Sequence, residues 1–268
     1  MNKVFYENWG HVHVARRKGL SFAPHMHDQM EILFLRTGNI TVYIDSEAYT
    51  LTPDCCCVIF PNQLHSYVDN ENIENDLNYI AIFKSELLKS FGKDFDQKVP
   101  KNPIITDKNK LDKIQKYFEE ALSQRASNSA YWSEASNACA VLMLTQALDS
   151  FEYKSAKLLK NDAAADIFAY CNKNFDQDIS LDKMSKELNI SKDHIMRLFR
   201  ERFHTNFRNY INQLRIEKAK KLLNSSDMTV TDISINVGYN TIRSFNRAFL
   251  EITGYSPSQY RQRKKLIK

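Results

Sequence analysis

The sequence predicts an α+β protein of two domains: a β-barrel with packing helices over 1–160, and an all-α domain over 161–268. Three observations lead to this fold class. Short β-rich runs fill 11–84, and apolar residues recur at the helix period from about residue 107. Residues 178–263 then contain one helix-turn-helix pattern written twice. With 268 residues, the chain is long enough for each domain to bury its own core.

The first half is expected to form short strands. The runs Met30–Leu35 and Ile40–Ile44 are separated by Thr-Gly-Asn at 37–39, which predicts a β-hairpin. Two further apolar runs, 57–60 and 77–83, continue the pattern. Short strands and turns at this spacing are typical of a β-sandwich or a small barrel.

A cluster of polar residues interrupts the strands. His25 and His27 are two residues apart, so on an extended strand both side chains point to the same side. Glu31 follows four residues later, and His65 is expected on a neighbouring strand. Three imidazoles and one carboxylate fit a divalent transition metal, but they equally suit a polar organic ligand. We favour the organic ligand, with no metal or other cofactor, in a site formed by His25, His27, Glu31, His65 and Tyr43.

The cysteines do not indicate a disulfide framework, because they are odd in number and lack metal-site or redox-site spacing. They are Cys55, Cys56, Cys57, Cys139 and Cys171. On a strand, the three adjacent cysteines alternate between faces, so only Cys55 and Cys57 share a side. Small buried strand residues are favoured over a thiol sensor.

Helices are expected from about residue 107 onward. The first has one apolar stripe, made of Leu111, Ile114, Phe118 and Leu122. A second apolar helix is predicted over 138–148, and both helices are expected to pack on the barrel or on a partner subunit. Residues 161–175 are expected to form a connecting helix or a linker without a Pro/Gly-rich tether, and the domain boundary is expected within 152–174.

The repeated pattern aligns 180–191 with 229–240 at an offset of 49 residues, which becomes 50 after one inserted residue. The matched positions are apolar, small or turn-forming. Asn189 and Gly238 are aligned, and both tolerate the positive φ that a tight turn between two helices requires. This agreement predicts two tandem helix-turn-helix units.

Helix starts are also marked in each unit. Ser191 and Asn240 are predicted to cap the second helix of the first and second unit, respectively. Thr229 with Asp232 three residues later fits a capping-box start.

The second helix of each unit has an apolar face and a polar face. The inward residues are predicted to be Ile195, Leu198 and Phe199, and Phe245, Ala248 and Phe249. The outward residues are predicted to be Lys192, Asp193, Met196, Arg197 and Arg200, and Ile242, Arg243, Asn246 and Arg247. Arginine and asparagine suit guanine and adenine edges in the major groove. The outward faces are therefore predicted to bind DNA, with a plain helical bundle of solvated charges as the alternative.

The charge distribution agrees with DNA binding. Residues 161–268 contain 19 Lys and Arg against 12 Asp and Glu, whereas 1–160 contain 18 against 20. The positive excess therefore lies on the repeated half, as expected for a polyanion-binding domain beside a neutral one. The first residues lack an apolar signal core and no run reaches membrane-span length, so a cytoplasmic protein without a membrane partner is expected.

Together these features resemble the AraC/XylS-type transcriptional regulators, which join a cupin-like ligand domain to two helix-turn-helix units. The motifs with this resemblance are Gly238-Tyr239, Phe245-x-Arg247-x-Phe249 and Gly254-Tyr-Ser-Pro257-x-x-Tyr260-Arg261. The resemblance implies double-stranded DNA read in two successive major grooves, a small-molecule effector, RNA polymerase as a partner, and a homodimer formed by the helices of the first domain. It also implies that a helix over 207–224 joins the two units.

Departures from the family pattern occur in both domains. His204 stands where the first unit usually has glycine, and Asp193 places an acid on a face predicted to meet DNA. The spacing of His25, His27 and Glu31 resembles the first metal-binding motif of cupin barrels. The second motif, which ends at His65, is degraded, because Cys55 and Gln63 replace the usual glycines. The sequence therefore predicts a regulator, not an enzyme: an effector-responsive activator controlling uptake or metabolism of a small polar molecule such as a sugar. The alternatives are a metal- or redox-responsive regulator, and a cupin metalloenzyme with a DNA-binding appendage.

Overall fold

The computed structural model describes residues 12–17, 21–70, 78–92, 95, 98–127, 129–155 and 163–265. The chain forms two compact units, 3–160 and 161–268. Within the described residues, no helix is both long enough and apolar enough to cross a membrane.

The first unit is mostly β structure followed by two long helices. Its strands are β1 (Val12–Arg17), β2 (Phe22–His25), β3 (Met30–Leu35), β4 (Ile40–Ile44), β5 (Glu47–Leu51), β6 (Cys55–Ile59), β7 (His65–Asp69), β8 (Asn78–Phe83), β9 (Lys98–Pro100), β10 (Ile104–Ile105) and β11 (Tyr153–Ser155). Its helices are α1 (Ser85–Leu88), continued by a 3-10 turn at Lys89–Phe91, α2 (Lys108–Ala126) and α3 (Trp132–Leu148).

Two antiparallel sheets face each other across an apolar core. One has the strand order β1-β8-β3-β6-β10 and the other β2-β7-β4-β5, while β9 and β11 form a separate pair. Leu33 and Cys57 of the first sheet pack with Val42, Ile44 and other apolar residues of the second. This arrangement confirms the predicted β-rich sandwich or barrel.

The five-stranded sheet is also covered on its outer face. Ile32, Phe34 and Cys56 point away from the first core and pack against α2 and α3, through residues such as Phe118 and Met143. Because both faces are buried, β3, β6 and β8 consist almost entirely of apolar residues. The two helices therefore pack on the sheet of their own chain, a choice that the sequence left open.

The predicted hairpin at 37–39 is wrong. Gly38 does turn the chain, with a φ of 81°. However, β3 pairs with β6 and β8, whereas β4 pairs with β5 and β7, so this turn carries the chain from one sheet to the other. The hairpin that forms is β4–β5, where Ile44 faces Glu47 across a turn that begins with Asp45 at a φ of 55°. Turn residues determine where the chain reverses, but not which strands pair.

The second unit is all helical. Its helices are α4 (Ala163–Asn174), α5 (Leu181–Leu188), α6 (Lys192–Glu201), α7 (Phe207–Ser225), α8 (Val230–Asn236), α9 (Ile242–Thr253) and α10 (Pro257–Lys265). The pairs α5–α6 and α8–α9 are the two predicted helix-turn-helix units, and α7 connects them. The predicted connecting helix over 161–175 is α4, which packs against α5 within this unit.

Most predicted helix caps are present. Ser191 accepts a hydrogen bond from the His194 N–H, and Thr229 accepts one from the Asp232 N–H. The predicted cap at Asn240 is wrong, because Thr241 occupies that position and accepts from the Ser244 N–H at 3.2 Å. The inserted residue precedes the cap, so the offset of 50 already applies there.

Candidate functional site

The second helices of the two helix-turn-helix units, α6 and α9, present equivalent faces. Residues 191–200 and 241–250 have the same order of exposed, partly buried and buried side chains, position by position. The six residues predicted to face inward are all buried: Ile195, Leu198, Phe199, Phe245, Ala248 and Phe249. Aromatic contacts such as Phe245 with Phe249, at 5.6 Å between ring centroids, stabilise this side.

The nine residues predicted to contact DNA are all exposed. They are Lys192, Asp193, Met196, Arg197 and Arg200 on α6, and Ile242, Arg243, Asn246 and Arg247 on α9. Met196 is 47% exposed, which excludes a role in the core. Lys192 Nζ lies 2.7 Å from the Asp182 carboxylate, in an exposed ion pair of the kind that contributes little to stability.

The helix α7 holds the two units together through one arginine that sequence reasoning missed. Arg215 donates from Nε to the Phe175 carbonyl at 2.7 Å and from Nη2 to the Gln177 carbonyl at 3.0 Å. Its guanidinium also lies over the Tyr239 ring, 5.2 Å from the centroid. Arg215 therefore contacts the segment before the first unit and the turn of the second. The sequence contains no signal for these contacts, because their partners are backbone atoms and an aromatic face.

The turn of the second unit is tightly packed against that same segment. Gly238 has a φ of 92°, and a Cβ placed there would lie 2.7 Å from the Asp176 carbonyl oxygen. The Asp176 carboxylate accepts from Lys218 Nζ of α7 at 2.9 Å. Glycine is therefore required at 238 for two reasons, the turn conformation and the close backbone approach.

In the β-rich unit, 3–160, the four predicted polar residues lie together. His25 at the end of β2 is the register partner of His65 on β7, and their ring centroids are 4.1 Å apart. His27 lies in the connection after β2, and Glu31 lies on β3 of the other sheet. One nitrogen or carboxylate oxygen from each residue falls within 4.8 Å of all the others. The cluster therefore joins the two sheets, and all four residues are buried.

The hydrogen bonds of the imidazoles determine which ring nitrogen faces the cluster. In His25, His27 and His65, Nδ1 donates to a backbone carbonyl two residues away in the chain, at 2.8, 3.0 and 2.9 Å, respectively. Nε2 of His27 lies 3.3 Å from Glu31 Oε2, and Nε2 of His65 lies 3.7 Å from the same oxygen.

The tyrosine that contacts the cluster is Tyr67 and not the predicted Tyr43. Tyr43 is not part of the cluster: it alternates with the buried residues Val42 and Ile44 on β4, so its side chain points to the opposite face of the strand. Tyr67 takes that place, and its buried hydroxyl donates a short hydrogen bond to Glu31 Oε1. Its position two residues after His65 on a strand is the signal that could have identified it.

The buried charges affect one another. Burial raises the pKa of Glu31, but the adjacent imidazoles of His27 and His65 outweigh that effect and hold its pKa well below the usual range. Burial, followed by the neighbouring His65 and His27, lowers the pKa of His25 well below its ordinary value. The site thus combines a buried carboxylate with an imidazole that resists protonation.

Comparison with known domains assigns both halves. Residues 10–140 match the AraC-like ligand binding domain, and residues 184–263 match a helix-turn-helix domain. The Escherichia coli protein YdiP, an uncharacterized HTH-type transcriptional regulator, is 25% identical over 246 residues, which cover 89% of this chain and 80% of that protein. The Staphylococcus aureus HTH-type regulator SAS0078 is 32% identical over 109 residues, which cover 41% of this chain and 15% of that protein.

Among solved structures, ToxT from Vibrio cholerae has a similar two-domain fold. Its apo form aligns with a TM-score of 0.51 at 15% identity, covering 93% of this chain and 96% of ToxT. A second ToxT structure, with an unsaturated fatty acid bound, also aligns with a TM-score of 0.51. At this identity the likeness shows the fold alone.

Proposed function

This chain belongs to the AraC family of transcriptional regulators, and from that premise we propose that it is an effector-responsive activator that reads DNA with α6 and α9. The family consists of DNA-binding regulators with a ligand-binding domain, not of enzymes. We further propose that the activator controls uptake or metabolism of a small polar molecule such as a sugar.

The observation that best supports DNA reading is the matched exposure of α6 and α9, which would be the recognition helices of the two helix-turn-helix units. Arg197 and Arg247 occupy equivalent exposed positions, and an arginine there is suited to a bidentate contact with guanine. Asn246 suits adenine, and the apolar Met196 and Ile242 suit the methyl group of thymine. With α7 as a spacer, we propose that the two helices enter successive major grooves.

The partners of such an activator include RNA polymerase and a second copy of the chain. Support for a homodimer comes from α3, where the large apolar side chains Trp132 and Leu142 are exposed, preceded by the exposed Tyr131. Exposed apolar residues of this kind are typical of protein interfaces.

The effector is proposed to act at the cluster of His25, His27, Glu31 and His65. ToxT binds an unsaturated fatty acid in one of its structures. In this chain, a bound hydrocarbon would leave buried ionisable groups without hydrogen-bond partners, at a cost of about 1–3 kcal/mol for each group. A small polar molecule satisfies them, which is why we propose one.

Two experiments test this function. In the first, DNA sites are selected from a random library by the full-length protein, and the selection is repeated with Asn246→Ala. An unchanged sequence preference in the variant would contradict the reading by α9.

In the second experiment, a reporter carrying the selected site is screened against a panel of sugars and other polar metabolites. The double variant His27→Ala/Glu31→Ala is expected to lose the response while its DNA binding is unchanged, and a normal response would place the effector elsewhere.

A redox-responsive regulator has less support. Burial raises the pKa of Cys56 and Cys57 well above the ordinary value for a thiol, so neither forms a reactive thiolate near neutral pH. A metal-responsive regulator is favoured by one specific observation, the arrangement of the four cluster residues.

A further inference from the structure

We propose that His25, His27, Glu31 and His65 bind one divalent transition-metal ion. This inference deepens the proposed function, because it gives the chemistry of the site where the effector is proposed to act. It replaces our expectation from the sequence of a site without a metal. Three independent features of the cluster support it: the tautomers of the histidines, the groups that face Glu31, and the space between the donor atoms.

The tautomers leave a lone pair on each inward-facing nitrogen. A backbone carbonyl can only accept a hydrogen bond, so the Nδ1 atoms of His25, His27 and His65 must carry the proton. In a neutral imidazole, Nε2 is then an acceptor and a possible metal ligand. Metal-binding histidines are oriented in the same way, by a carbonyl or carboxylate that holds the other ring nitrogen.

The groups facing Glu31 require a positive charge between them. Nε2 of His27 and Nε2 of His65 lie 3.3 and 3.7 Å from Glu31 Oε2. Where the imidazoles are neutral, their Nε2 atoms and an ionised carboxylate are all acceptors, so a proton or a metal ion must lie between them. A proton would join one nitrogen to the oxygen, whereas a metal ion bonds to all of them at once. Nε2 of His65, which is buried and has no hydrogen-bond partner among the described residues, then gains a ligand bond.

The space enclosed by the donors fits an ion. A tetrahedral zinc site, with bonds of about 2.0–2.1 Å, places neighbouring donor atoms about 3.4 Å apart. The distances from Glu31 Oε2 to Nε2 of His27 and of His65 are already close to that value, and all four donor atoms lie within 4.8 Å of one another. A small inward movement of the four side chains therefore completes the site.

Tyr67 supports the same assignment from outside the donor set. Its hydroxyl donates to Oε1 of Glu31, which leaves Oε2 facing the imidazoles of His27 and His65. Ligating carboxylates are commonly held by such a hydrogen bond. Three imidazoles with one carboxylate favour zinc, nickel, copper or iron over magnesium or calcium, which prefer oxygen ligands.

The test is metal binding by untagged, full-length protein after treatment with a chelator and dialysis. Zn²⁺ is titrated by calorimetry, and Co²⁺ by visible absorption, which reports its coordination by the protein. We expect one ion per chain. Changes to residues that only orient the ligands typically reduce metal affinity about 10- to 100-fold. Glu31→Gln and His65→Ala, which remove ligands, should therefore each reduce Zn²⁺ affinity by about 100-fold or more.

The matched control is His13→Ala, which changes a buried histidine of the same unit outside the cluster. It should bind Zn²⁺ like the unmodified chain. If His65→Ala does not fold, as judged by circular dichroism, the nearly isosteric Glu31→Gln decides the outcome. The proposal is overturned if the unmodified protein binds no ion, or if a folded Glu31→Gln variant retains full affinity. Because binding is measured without DNA, a protein that binds its DNA site but no metal contradicts this inference and leaves the regulator function standing.

Discussion

Positive φ recurs at two equivalent positions of the repeated unit, and only the second unit has glycine at both. In the first unit Asn189 and His204 have φ of 55° and 49°, and in the second Gly238 and Gly254 have φ of 92° and 72°. A residue with a Cβ in this region costs about 1–2 kcal/mol, less when it is asparagine. The backbone shape is thus retained at His204 without glycine, and the first unit contains strain that the second avoids.

Gly238→Ala is predicted to destabilise the 161–268 unit by about 2–5 kcal/mol, because it combines the unfavourable φ with a clash against Asp176. Gly254→Ala is the matched control: its φ is also positive, but a Cβ there meets none of the described residues within 4 Å, so about 1–2 kcal/mol is expected. Urea unfolding of the two variants measures the difference. Equal losses would show that only the conformation of the turn matters.

Arg247→Ala is predicted to reduce sequence discrimination, since Arg247 is exposed on α9 and suited to a guanine contact worth about 1–3 kcal/mol. That range corresponds to a loss of about 5- to 150-fold in the ratio of specific to scrambled-DNA affinity. Arg261 is the control, because its guanidinium donates to the Met228 carbonyl at 2.7 Å and so stabilises the fold. If Arg261→Ala loses as much discrimination at equal salt, the guanine contact is assigned to the wrong residue.

At the scale of elements, α7 does more than separate the two helix-turn-helix units. One face of α7 is buried among the helices of this unit, including Ile216 and Ala219 in the core of the second helix-turn-helix. Arg215 on the same helix links the end of α4 to the turn after α8. The angle between the two recognition helices therefore depends on α7.

Arg215→Ala is predicted to weaken binding to DNA that contains both half-sites more than binding to DNA with one. Loss of its two hydrogen bonds should also reduce the stability of the helical unit, 161–268, by about 1–3 kcal/mol. Arg208→Ala, exposed on the same helix, is the comparison variant and should not change the ratio. Mobility shifts on the two DNAs give that ratio, and an equal loss on both would mean that Arg215 does not position the units.

The strand β6 places three cysteines in two different cores. Cys55 and Cys57 lie in the core between the sheets, and Cys56 packs toward the helices. This alternation agrees with the prediction from the sequence. All five cysteines of the chain are free and buried, so each thiol is shielded in the folded protein.

We therefore predict that a thiol-modifying reagent at pH 8 reacts with the folded protein only as fast as the protein unfolds, because burial keeps the thiols protonated and inaccessible. In denaturant, all five cysteines should react at once. Rapid modification of one or more thiols in the folded state would contradict this prediction and support a redox-responsive function.

At the scale of the whole molecule, the positive charge and the recognition helices lie on the same unit. Residues 161–268 contain 19 basic and 12 acidic side chains. The ligand-binding domain contains no such excess. DNA affinity is therefore expected to reside in the helical unit, 161–268, while the response to an effector requires the β-rich unit, 3–160.

The isolated segment 161–268 is predicted to bind DNA without any effector response. Its affinity should fall steeply with salt concentration, because each phosphate contact releases counterions. Fluorescence anisotropy between 50 and 200 mM salt, a range over which six to ten phosphate contacts cost about 10³- to 10⁵-fold, measures the slope. A segment that binds nothing at low salt, or whose affinity ignores salt, would contradict the division of labour between the units.

The sequence by itself determined the helical unit almost completely. Its repeat predicted both helix-turn-helix units, their buried faces and the turns at Asn189 and Gly238. These features depend on contacts within one or two helical turns, where the spacing of apolar residues and the conformations open to each residue type decide the outcome. The predicted cap at Asn240 failed by one residue because the position of an insertion is not visible in the pattern around it.

Only the tertiary structure decided the pairing of the strands and the membership of the polar cluster. The turn at Gly38 was predicted to form a hairpin, but β3 pairs with β6 and β8 and is buried on both faces, whereas β4 belongs to the other sheet. Tyr67 replaced Tyr43 beside Glu31, from which it is 36 positions away in the chain. Neither result follows from local residue pattern, because strand pairing and register depend on how two distant segments bury their surfaces together.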